Sequence, residues 1–331
     1  MKAYESILEL IGKTPLVRLR TGMPSDGPRC YVKLEFLNPT GSLKDRITYY
    51  ILKKALDDGQ LKPGDTVIDN TSGNTGSALA MVASVLGLKS IVTTPEKTSQ
   101  EKIDLIKSYG AEVIITPEVD DHEDPDGFFM VARRLAKENG YFDMNQYHNQ
   151  DNVEAHYITT GPEIWEDTEG QVTHFVCGIG TGGNFSGTAR YLKEQNPNIR
   201  CIAVDPEGSI FAEYIKHKRE TKGYAYKVEG IGSDVVTGAL HPHLVDEVVT
   251  VSDSDSFNRA RLIARREGIS GGGSSGAVAF VMEKVAREVG PDSVIVGIFA
   301  DAGIRYLSKC YNDNWMRQHG YLPQVEVEHE S

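Results

Sequence analysis

The chain has 331 residues, of which 40% are hydrophobic and 25% are charged, the composition of an ordinary globular protein with room for one large or two medium domains. Its 35 Lys and Arg residues against 47 Asp and Glu residues give a formal net charge of −12. A surface this acidic repels phosphate backbones and anionic lipids. We therefore expect neither nucleic acid nor a membrane surface as a partner.

The cysteines and the N-terminus indicate the cellular compartment of the protein. Cys30, Cys177, Cys201 and Cys310 are far apart and form no C-x-x-C pair, which predicts reduced, buried thiols rather than a disulfide scaffold. No basic segment followed by an apolar run opens the sequence, and no stretch of about 18 apolar residues occurs in it. We expect a cytoplasmic protein.

Short β-branched runs alternate along the chain with longer segments of helical spacing. The predicted strands are residues 31–36, 66–69, 90–94, 112–116, 174–177, 201–204, 247–251 and 293–299. The predicted helices include residues 47–57, 76–86, 100–108 and 127–138. This alternation is typical of the α/β class, with parallel sheets covered by helices, and the number of units exceeds one small sheet. Because no tether separates two halves, we expect interleaved domains with a ligand between them.

Three loops of small residues stand out, and the first spans residues 71–76, with the sequence TSGNTG. It follows a predicted strand and opens a predicted helix, an arrangement that aims free backbone N–H groups and hydroxyls at an anion. A tight turn that only caps the helix explains the same spacing equally well. The density of hydrogen-bond donors favours binding.

The second loop spans residues 178–184, with the sequence GIGTGGN, and it satisfies the pattern G-x-G-x-x-G. Asp205 lies 22 residues beyond Gly183, at the end of the next predicted strand. This spacing imitates a dinucleotide-binding fingerprint and keeps an NAD-dependent dehydrogenase as an alternative. The loop is suited to a phosphate in either case.

The third loop, residues 271–276, contains G-x-S-x-G, with Asp301 and His319 following in the order of an α/β-hydrolase. The residues ahead of this loop are typical of a helix end rather than of a buried strand, and no oxyanion motif of the HGG type is present. These features argue against a hydrolase. Asp301 either caps the helix after the last strand or lines the ligand site, and we favour the cap.

Lys44 lies where a turn rich in helix-capping residues, 38–43, leads into a helix. One interpretation is a solvated surface lysine, the usual fate of this residue type. The other is a Schiff-base lysine, which must be held near a carbonyl and kept partly unprotonated by burial. The histidines, including His156, have no zinc-ligand spacing, so we expect surface positions or core packing for them and no metal.

Together these features resemble the fold-type II pyridoxal-phosphate enzymes, specifically the cysteine synthase and cystathionine β-synthase family. The similarity covers about residues 8–318 and corresponds to the catalytic core only. The stretches that carry it, in family order, are residues 11–17, 38–46, 71–76, 146–147, 159–165, 180–184, 229–232 and 272–274.

The resemblance implies a role for each matching position. Lys44 would form the internal aldimine with pyridoxal 5'-phosphate, Asn74 would hydrogen-bond its ring hydroxyl, and Ser274 would meet its pyridine nitrogen. The implied phosphate-binding residues are Gly180, Thr181, Gly182, Gly183 and Asn184, the last standing where the family usually has threonine. The implied substrate-binding residues are Thr71, Ser72, Gly73, Thr75, Gln146 and Gly230.

The resemblance also implies a reaction and an architecture. A thiol would replace the β-substituent of L-serine or O-acetyl-L-serine through an aminoacrylate intermediate. Homocysteine would give cystathionine, as in transsulfuration, and sulfide would give cysteine; the cystathionine β-synthase-like reaction is favoured over that of a cysteine synthase. The fold would be two interleaved three-layer α/β domains, tryptophan synthase β-like, in a homodimer. We expect a smaller substrate-clamping domain at 45–150, a larger cofactor-binding domain at 1–44 plus 151–318, and a tail at 319–331.

Overall fold

The computed structural model describes residues 3–71, 73–119 and 123–323. Within these ranges the chain forms ten strands. In chain order they are β1 (Leu16–Arg18), β2 (Arg29–Leu34), β3 (Thr66–Asn70), β4 (Lys89–Pro95), β5 (Glu112–Thr116), β6 (Phe142–Asp143), β7 (His174–Gly178), β8 (Arg200–Pro206), β9 (Glu247–Val251) and β10 (Val294–Phe299).

The α-helices connect these strands and cover them. They are α1 (Lys44–Asp57), α2 (Asn74–Val85), α3 (Gln100–Ser108), α4 (Phe128–Asn139), α5 (Gln150–Ile158), α6 (Thr160–Asp167), α7 (Gly183–Gln195), α8 (Phe211–His217), α9 (Asp253–Glu267), α10 (Gly273–Glu288) and α11 (Asp313–Gln318). No helix in the described part of the chain is long and apolar enough to cross a membrane.

The larger sheet has six strands in the order β1-β2-β10-β7-β8-β9, and only the β1–β2 pair is antiparallel. Its central strands are buried on both faces. On β7, for example, Val176 packs into one hydrophobic cluster, whereas Phe175 and Cys177 pack into the cluster on the opposite face. Because successive side chains of a strand point to opposite faces, this alternation shows helices on both sides of the sheet.

The smaller sheet has four parallel strands in the order β5-β4-β3-β6. One face carries the larger core, in which Val67 and Val92 pack with α1 and α2. The other face carries a small cluster in which Ile68 and Ile91 pack against Ala132 of α4. The chain therefore leaves the larger sheet after β2, builds the smaller one, and returns at β7.

The α/β class with mostly parallel sheets, predicted from the sequence, is confirmed. Six predicted strands lie within the observed ones, and a seventh, at 293–299, overhangs β10 by one residue. The predicted strand at 31–36 is displaced, because β2 ends at Leu34 and residues Glu35–Leu37 form a 3-10 turn. The strands β1 and β6 were missed, since strands of three and two residues are too short to show a period.

Candidate active site

A cavity that is partly open to solvent lies where the carboxyl ends of β3, β7 and β10 approach the start of α1. Ligands of parallel α/β sheets bind at such strand ends. Eight of the predicted site residues line it, namely Lys44, Asn74, Gly180, Thr181, Gly182, Asn184, Gly230 and Ser274. Sequence segments far apart in the chain thus meet at one place.

Lys44 is the first residue of α1 and is half-buried in the cavity wall. Its ammonium group makes no hydrogen bond or ion pair with any other described residue. Burial lowers the pKa of Lys44 to about 8, although the carboxylates of Asp69 and Asp301 act in the opposite direction. A substantial fraction of this amine is therefore neutral near physiological pH, as a nucleophile or base requires.

The loop between β7 and α7 provides an anion cradle. Gly182 has φ +89°, a left-handed conformation that favours glycine, and a Cβ there would lie 2.5 Å from Cα of Leu240. A Cβ at Gly180 would lie 2.6 Å from the carbonyl oxygen of Gly230. Within the described ranges, the N–H groups of residues 180–182 have no acceptor. They stand beside the N-terminus of α7, where partial positive charge attracts anions.

Asn184 lines this cradle, but its side chain is largely engaged inside the protein. Its Nδ2 lies 3.4 Å from Sγ of Cys177, and its Oδ1 accepts a hydrogen bond from Thr188 at 3.2 Å. Burial raises the pKa of the Cys177 thiol, so that group stays protonated. The backbone N–H groups, rather than the amide at position 184, thus supply most of the free donors.

Ser274 lies in the first turn of α10, is 4% exposed, and its hydroxyl has no partner among the described residues. Nearby in the cavity wall, Asp301 accepts hydrogen bonds on Oδ2 from Asn74 Nδ2 at 2.7 Å and from the Tyr306 hydroxyl at 2.6 Å. Burial raises the pKa of Asp301, while both hydrogen bonds lower it.

The expectation that Asp301 caps a helix is wrong. The 3-10 turn that follows β10, Gly303–Tyr306, begins after Ala302 and receives no side-chain cap. The carboxylate points instead to the cavity, and its Oδ1 has no hydrogen-bond partner in the described structure.

The predicted substrate-binding residues divide into two groups. Gly230 lines the cavity, whereas Thr71, Gly73, Thr75 and Gln146 are not among the described residues that line it. Thr75 donates to Gln146 Oε1 at 2.8 Å, and Gly73 N donates to Thr71 Oγ1 at 3.1 Å, so the four form two local contacts next to Asn74. Ser72 lies outside the described residues. Gly183 adjoins the cavity at the start of α7.

Two residues of the cavity wall were not expected there, Asn152 and His156 of α5. His156, for which either surface exposure or core packing was expected, is buried; its Nε2 has no partner among the described residues, while its Nδ1 lies 2.8 Å from the Thr160 hydroxyl. Burial lowers the pKa of His156 to about 3, so the ring is neutral. Their four-residue spacing, which puts both on one helix face, was the available sequence signal.

Neither alternative chemistry has its residues in place. Asp205, the supposed ribose ligand of a dehydrogenase, is fully buried and accepts a hydrogen bond from Ala212 N at 2.8 Å at the start of α8. His319, the supposed base of a hydrolase, is exposed just after the C-terminal end of α11, and its ring packs on Trp315. Residues 253–267 before the third loop form α9, as the helix-end interpretation predicted.

The groups in the cavity fit a phosphate-bearing pyridine aldehyde. Free backbone N–H groups at 180–182 suit the phosphate, the unpartnered Ser274 hydroxyl suits a ring nitrogen, and the Lys44 amine suits the aldehyde. The glycines at 180 and 182 leave the space that side chains would fill.

Comparison with known proteins agrees with this fit. A family model described as "Pyridoxal-phosphate dependent enzyme" matches residues 7–301. Cystathionine beta-synthase of Apis mellifera is 43% identical over 328 residues, which cover 98% of this chain and 64% of that protein. The same enzyme of Mus musculus is 41% identical over 327 residues, covering 98% and 58%. The chain thus spans less than two thirds of the length of these two relatives.

Two further similarities cover both partners almost completely. Cysteine synthase of Staphylococcus aureus is 38% identical over 308 residues, 93% of this chain and 96% of that protein. The crystal structure of O-ureido-L-serine synthase superimposes with a TM-score of 0.86 at 32% identity, covering 95% of this chain and 99% of that one. The predicted cofactor, pyridoxal 5'-phosphate, and the predicted family are confirmed. The chain belongs to the pyridoxal-phosphate dependent enzymes.

Proposed function

We propose that this chain catalyses β-replacement, in which a thiol displaces the β-substituent of L-serine or O-acetyl-L-serine. Relatives named cystathionine beta-synthase and cysteine synthase support the reaction type. Homocysteine as the acceptor, which gives cystathionine, is favoured because the relatives of that name are 43% and 41% identical, against 38% for the cysteine synthase. Sulfide, which gives cysteine, is the alternative.

The observation that carries this proposal is the position of Lys44. Its amine shares one cavity with the loop at 180–184 and with Ser274. Bound pyridoxal phosphate supplies an electron sink that makes the substrate's Cα proton removable. The Lys44 Nζ, with its pKa lowered to about 8, is the only lysine amine among the described residues that line this cavity, and we assign it the transfer of that proton. A positioned general base of this kind contributes roughly 10²–10⁴-fold in rate.

Ser274 determines how strongly the ring nitrogen is polarised. A neutral hydroxyl can donate a hydrogen bond, but it does not stabilise a protonated ring nitrogen as a carboxylate would. When the electron sink is weaker, departure of the β-substituent is favoured over transamination, which needs reprotonation at another atom. This reasoning supports replacement at the β-carbon rather than transamination.

The loop 71–76 and Gln146 would hold the substrate carboxylate through N–H and hydroxyl donors. The Thr75 hydroxyl now donates to Gln146 Oε1 at 2.8 Å and Gln146 Nε2 donates to Asp69 at 3.0 Å, so on binding these two neighbouring donors would exchange their present acceptors for the substrate carboxylate. We further propose that residues 45–150 form the smaller, substrate-clamping domain. All four strands of the smaller sheet, between Thr66 and Asp143, fall inside this range.

Spectroscopy of purified protein tests the proposal. Wild-type protein should show the visible absorbance of covalently held cofactor, and Lys44→Ala should lose it. Lys53→Ala is the matched control, because Lys53 lies on the same helix, is exposed, and pairs with Asp57. If the Lys44→Ala protein kept an unchanged spectrum and activity, the assignment would be wrong.

Substrates are then identified one at a time. The donor, L-serine or O-acetyl-L-serine, should change the cofactor spectrum, and a compound that does not is eliminated. Mass spectrometry of products with homocysteine or sulfide names the acceptor. A cytoplasmic homodimer completes the proposal, and analytical ultracentrifugation of the full chain measures its oligomeric state.

A further inference from the structure

Asn152 lies between Gln146 and the loop at 180–184. It lies in the first turns of α5, is 1% exposed, and contributes to the wall of the cofactor cavity. Its Oδ1 has no hydrogen-bond partner among the described residues. A Cβ at Gly183 would lie 2.0 Å from this oxygen, so the start of α7 packs directly on the Asn152 amide.

Both hydrogens of the Asn152 amide nitrogen have an acceptor. Nδ2 donates to the backbone oxygen of Gln146 at 2.7 Å and to Oγ1 of Thr181 at 3.0 Å. A carbonyl oxygen can only accept, so the nitrogen rather than the oxygen of the amide must face Gln146. The orientation of the Asn152 side chain is therefore determined by its surroundings.

This contact determines what the Thr181 hydroxyl can do. A hydroxyl has one hydrogen to donate and two lone pairs that accept. Oγ1 of Thr181 accepts from Asn152 Nδ2 and, at 3.4 Å, from the N–H of Gly183. With both lone pairs engaged, its own hydrogen is left to donate into the cavity, where the phosphate of the cofactor would accept it.

The same side chain also fixes the substrate side of the cavity. Gln146, whose carbonyl Asn152 holds, accepts from Thr75 at 2.8 Å and donates to Asp69 at 3.0 Å. Thr75 belongs to the loop that we assign to the substrate carboxylate. One amide thus connects the phosphate loop with the residues proposed to hold the substrate.

We propose that Asn152 is a positioning residue with two effects: it keeps the Thr181 hydroxyl as a donor to the cofactor phosphate, and it anchors Gln146 for the substrate carboxylate. The first effect depends only on the cofactor. The second rests on the proposed function.

Equilibrium binding of pyridoxal phosphate to the cofactor-free protein tests the first effect. Losing a hydrogen bond to a charged group should raise the dissociation constant about 10-fold to 100-fold in Asn152→Ala. Pyridoxal, which lacks the phosphate, should bind the variant and the wild type equally. Asn152→Asp, which keeps the size but cannot donate, should also weaken binding of the phosphate form. If pyridoxal and its phosphate lost affinity to the same extent, the role would be structural and the proposal overturned.

A double-mutant cycle shows whether Asn152 acts through Thr181. In a Thr181→Val background, which has no hydroxyl to orient, Asn152→Ala should change the dissociation constant less than 3-fold. In a Thr181→Ser background the full 10-fold or greater loss should return. Additive losses in the valine background would refute the proposal. Glu154→Gln, half-buried on α5 outside the cavity and paired with Arg190, is the control and should bind normally.

Donor binding to the cofactor-saturated enzyme tests the second effect. Asn152→Ala should raise the L-serine or O-acetyl-L-serine concentration at which half of the spectral change is complete about 3-fold to 10-fold, whereas Glu154→Gln, also on α5 but outside the cavity, should leave that concentration unchanged. Equal effects of both variants would refute the anchoring of Gln146. If neither donor changed the wild-type spectrum, the proposed function would fail, while the phosphate measurements would still decide the first effect.

Discussion

The amide nitrogen of Asn74 donates to Oδ2 of Asp301 across 2.7 Å, and the two residues are 227 positions apart in the chain. This bond joins the start of α2, which follows a strand of the smaller sheet, to the end of β10 in the larger one. An ionised carboxylate has no proton to donate and can only accept hydrogen bonds. The Asp301 carboxylate therefore orients the Asn74 amide with its nitrogen toward Asp301. One part of the cavity wall is thus a contact between the two halves of the fold.

The pH dependence of cofactor capture should report the lowered pKa of Lys44. Only the neutral amine attacks the aldehyde, so the rate of pyridoxal phosphate incorporation into cofactor-free protein should rise with pH to a midpoint of about 8. An ordinary lysine would place this midpoint about two units higher, near 10.4. Stopped-flow absorbance between pH 6 and pH 10 measures it. A midpoint near 10 would show that the amine is solvated.

Asp301→Asn should move this midpoint downwards. The Asp301 carboxylate raises the pKa of Lys44 because it stabilises the ammonium form, so its removal favours the neutral amine at lower pH. The same measurement detects the change, and we expect a midpoint below about 8. Asp313→Asn is the control, since that carboxylate is exposed and pairs with Arg261. A midpoint that stayed constant or rose would contradict the electrostatic role of Asp301.

The sequence was informative wherever a segment carries its own signal. The small-residue loops at 71–76 and 180–184 lie between a strand and a helix, as their local pattern predicts, and the first reaches the cavity through Asn74 and the second through Gly180, Thr181, Gly182 and Asn184. The alternation of strands and helices likewise predicted the fold class. Each of these features depends on neighbours within about ten residues, which is the range over which periodicity and turn chemistry act.

The contacts of Asp301 and Asn152 could not be predicted in this way. Asp301 was expected to cap a helix because an aspartate after a strand and before a helical segment is typical of an N-cap. Its partner Asn74 is decided by how the two sheets pack, and its partner Tyr306 by the 3-10 turn that follows β10. Asn152 meets Thr181, 29 residues away, because α5 packs against α7. Side-chain pairs of this kind follow from tertiary packing, on which local spacing carries no information.

Gly182→Ala should weaken cofactor binding at least about 10-fold. An alanine at this φ of +89° costs roughly 1–2 kcal/mol in backbone strain, and its Cβ would also collide with the backbone of Leu240 and displace the phosphate loop. Gly268→Ala is the matched control, because its φ is +69° and a Cβ there meets no atom within 4 Å. The control should lose stability in urea unfolding but keep wild-type affinity for pyridoxal phosphate in titrations. Equal affinities of the two variants would argue against the cradle.

A buried ion network next to Lys44 should make stability depend on pH. Glu163 contacts Arg46 at 2.7 Å and Lys33 at 2.8 Å, and both cations are completely buried, while Arg46 also contacts Glu35 at 2.6 Å. Burial raises the pKa of Glu163, but its hydrogen bonds and the charges of Arg46 and Lys33 outweigh this and lower it to about 2. Since α1 carries both Lys44 and Arg46, the network anchors the helix that carries Lys44.

The sign of the effect follows from the lowered pKa. Glu163 binds a proton in the unfolded chain near pH 4.3 but only near pH 2 in the folded one, so its contribution is complete above about pH 5 and is lost as the pH falls through 2. The difference of about two pKa units corresponds to about 3 kcal/mol.

Glu163→Gln should therefore lower the free energy of unfolding by about 3 kcal/mol or more at pH 7, because it leaves buried cations underpaired. Urea unfolding of the cofactor-saturated enzyme from pH 7 to pH 3 should show this deficit shrinking with acid. Glu154→Gln, which breaks a pair whose two side chains are each about one third exposed, should cost no more than about 1 kcal/mol. A deficit for Glu163→Gln that is the same at pH 7 and pH 3 would mean that the charge of Glu163 is not what stabilises this helix.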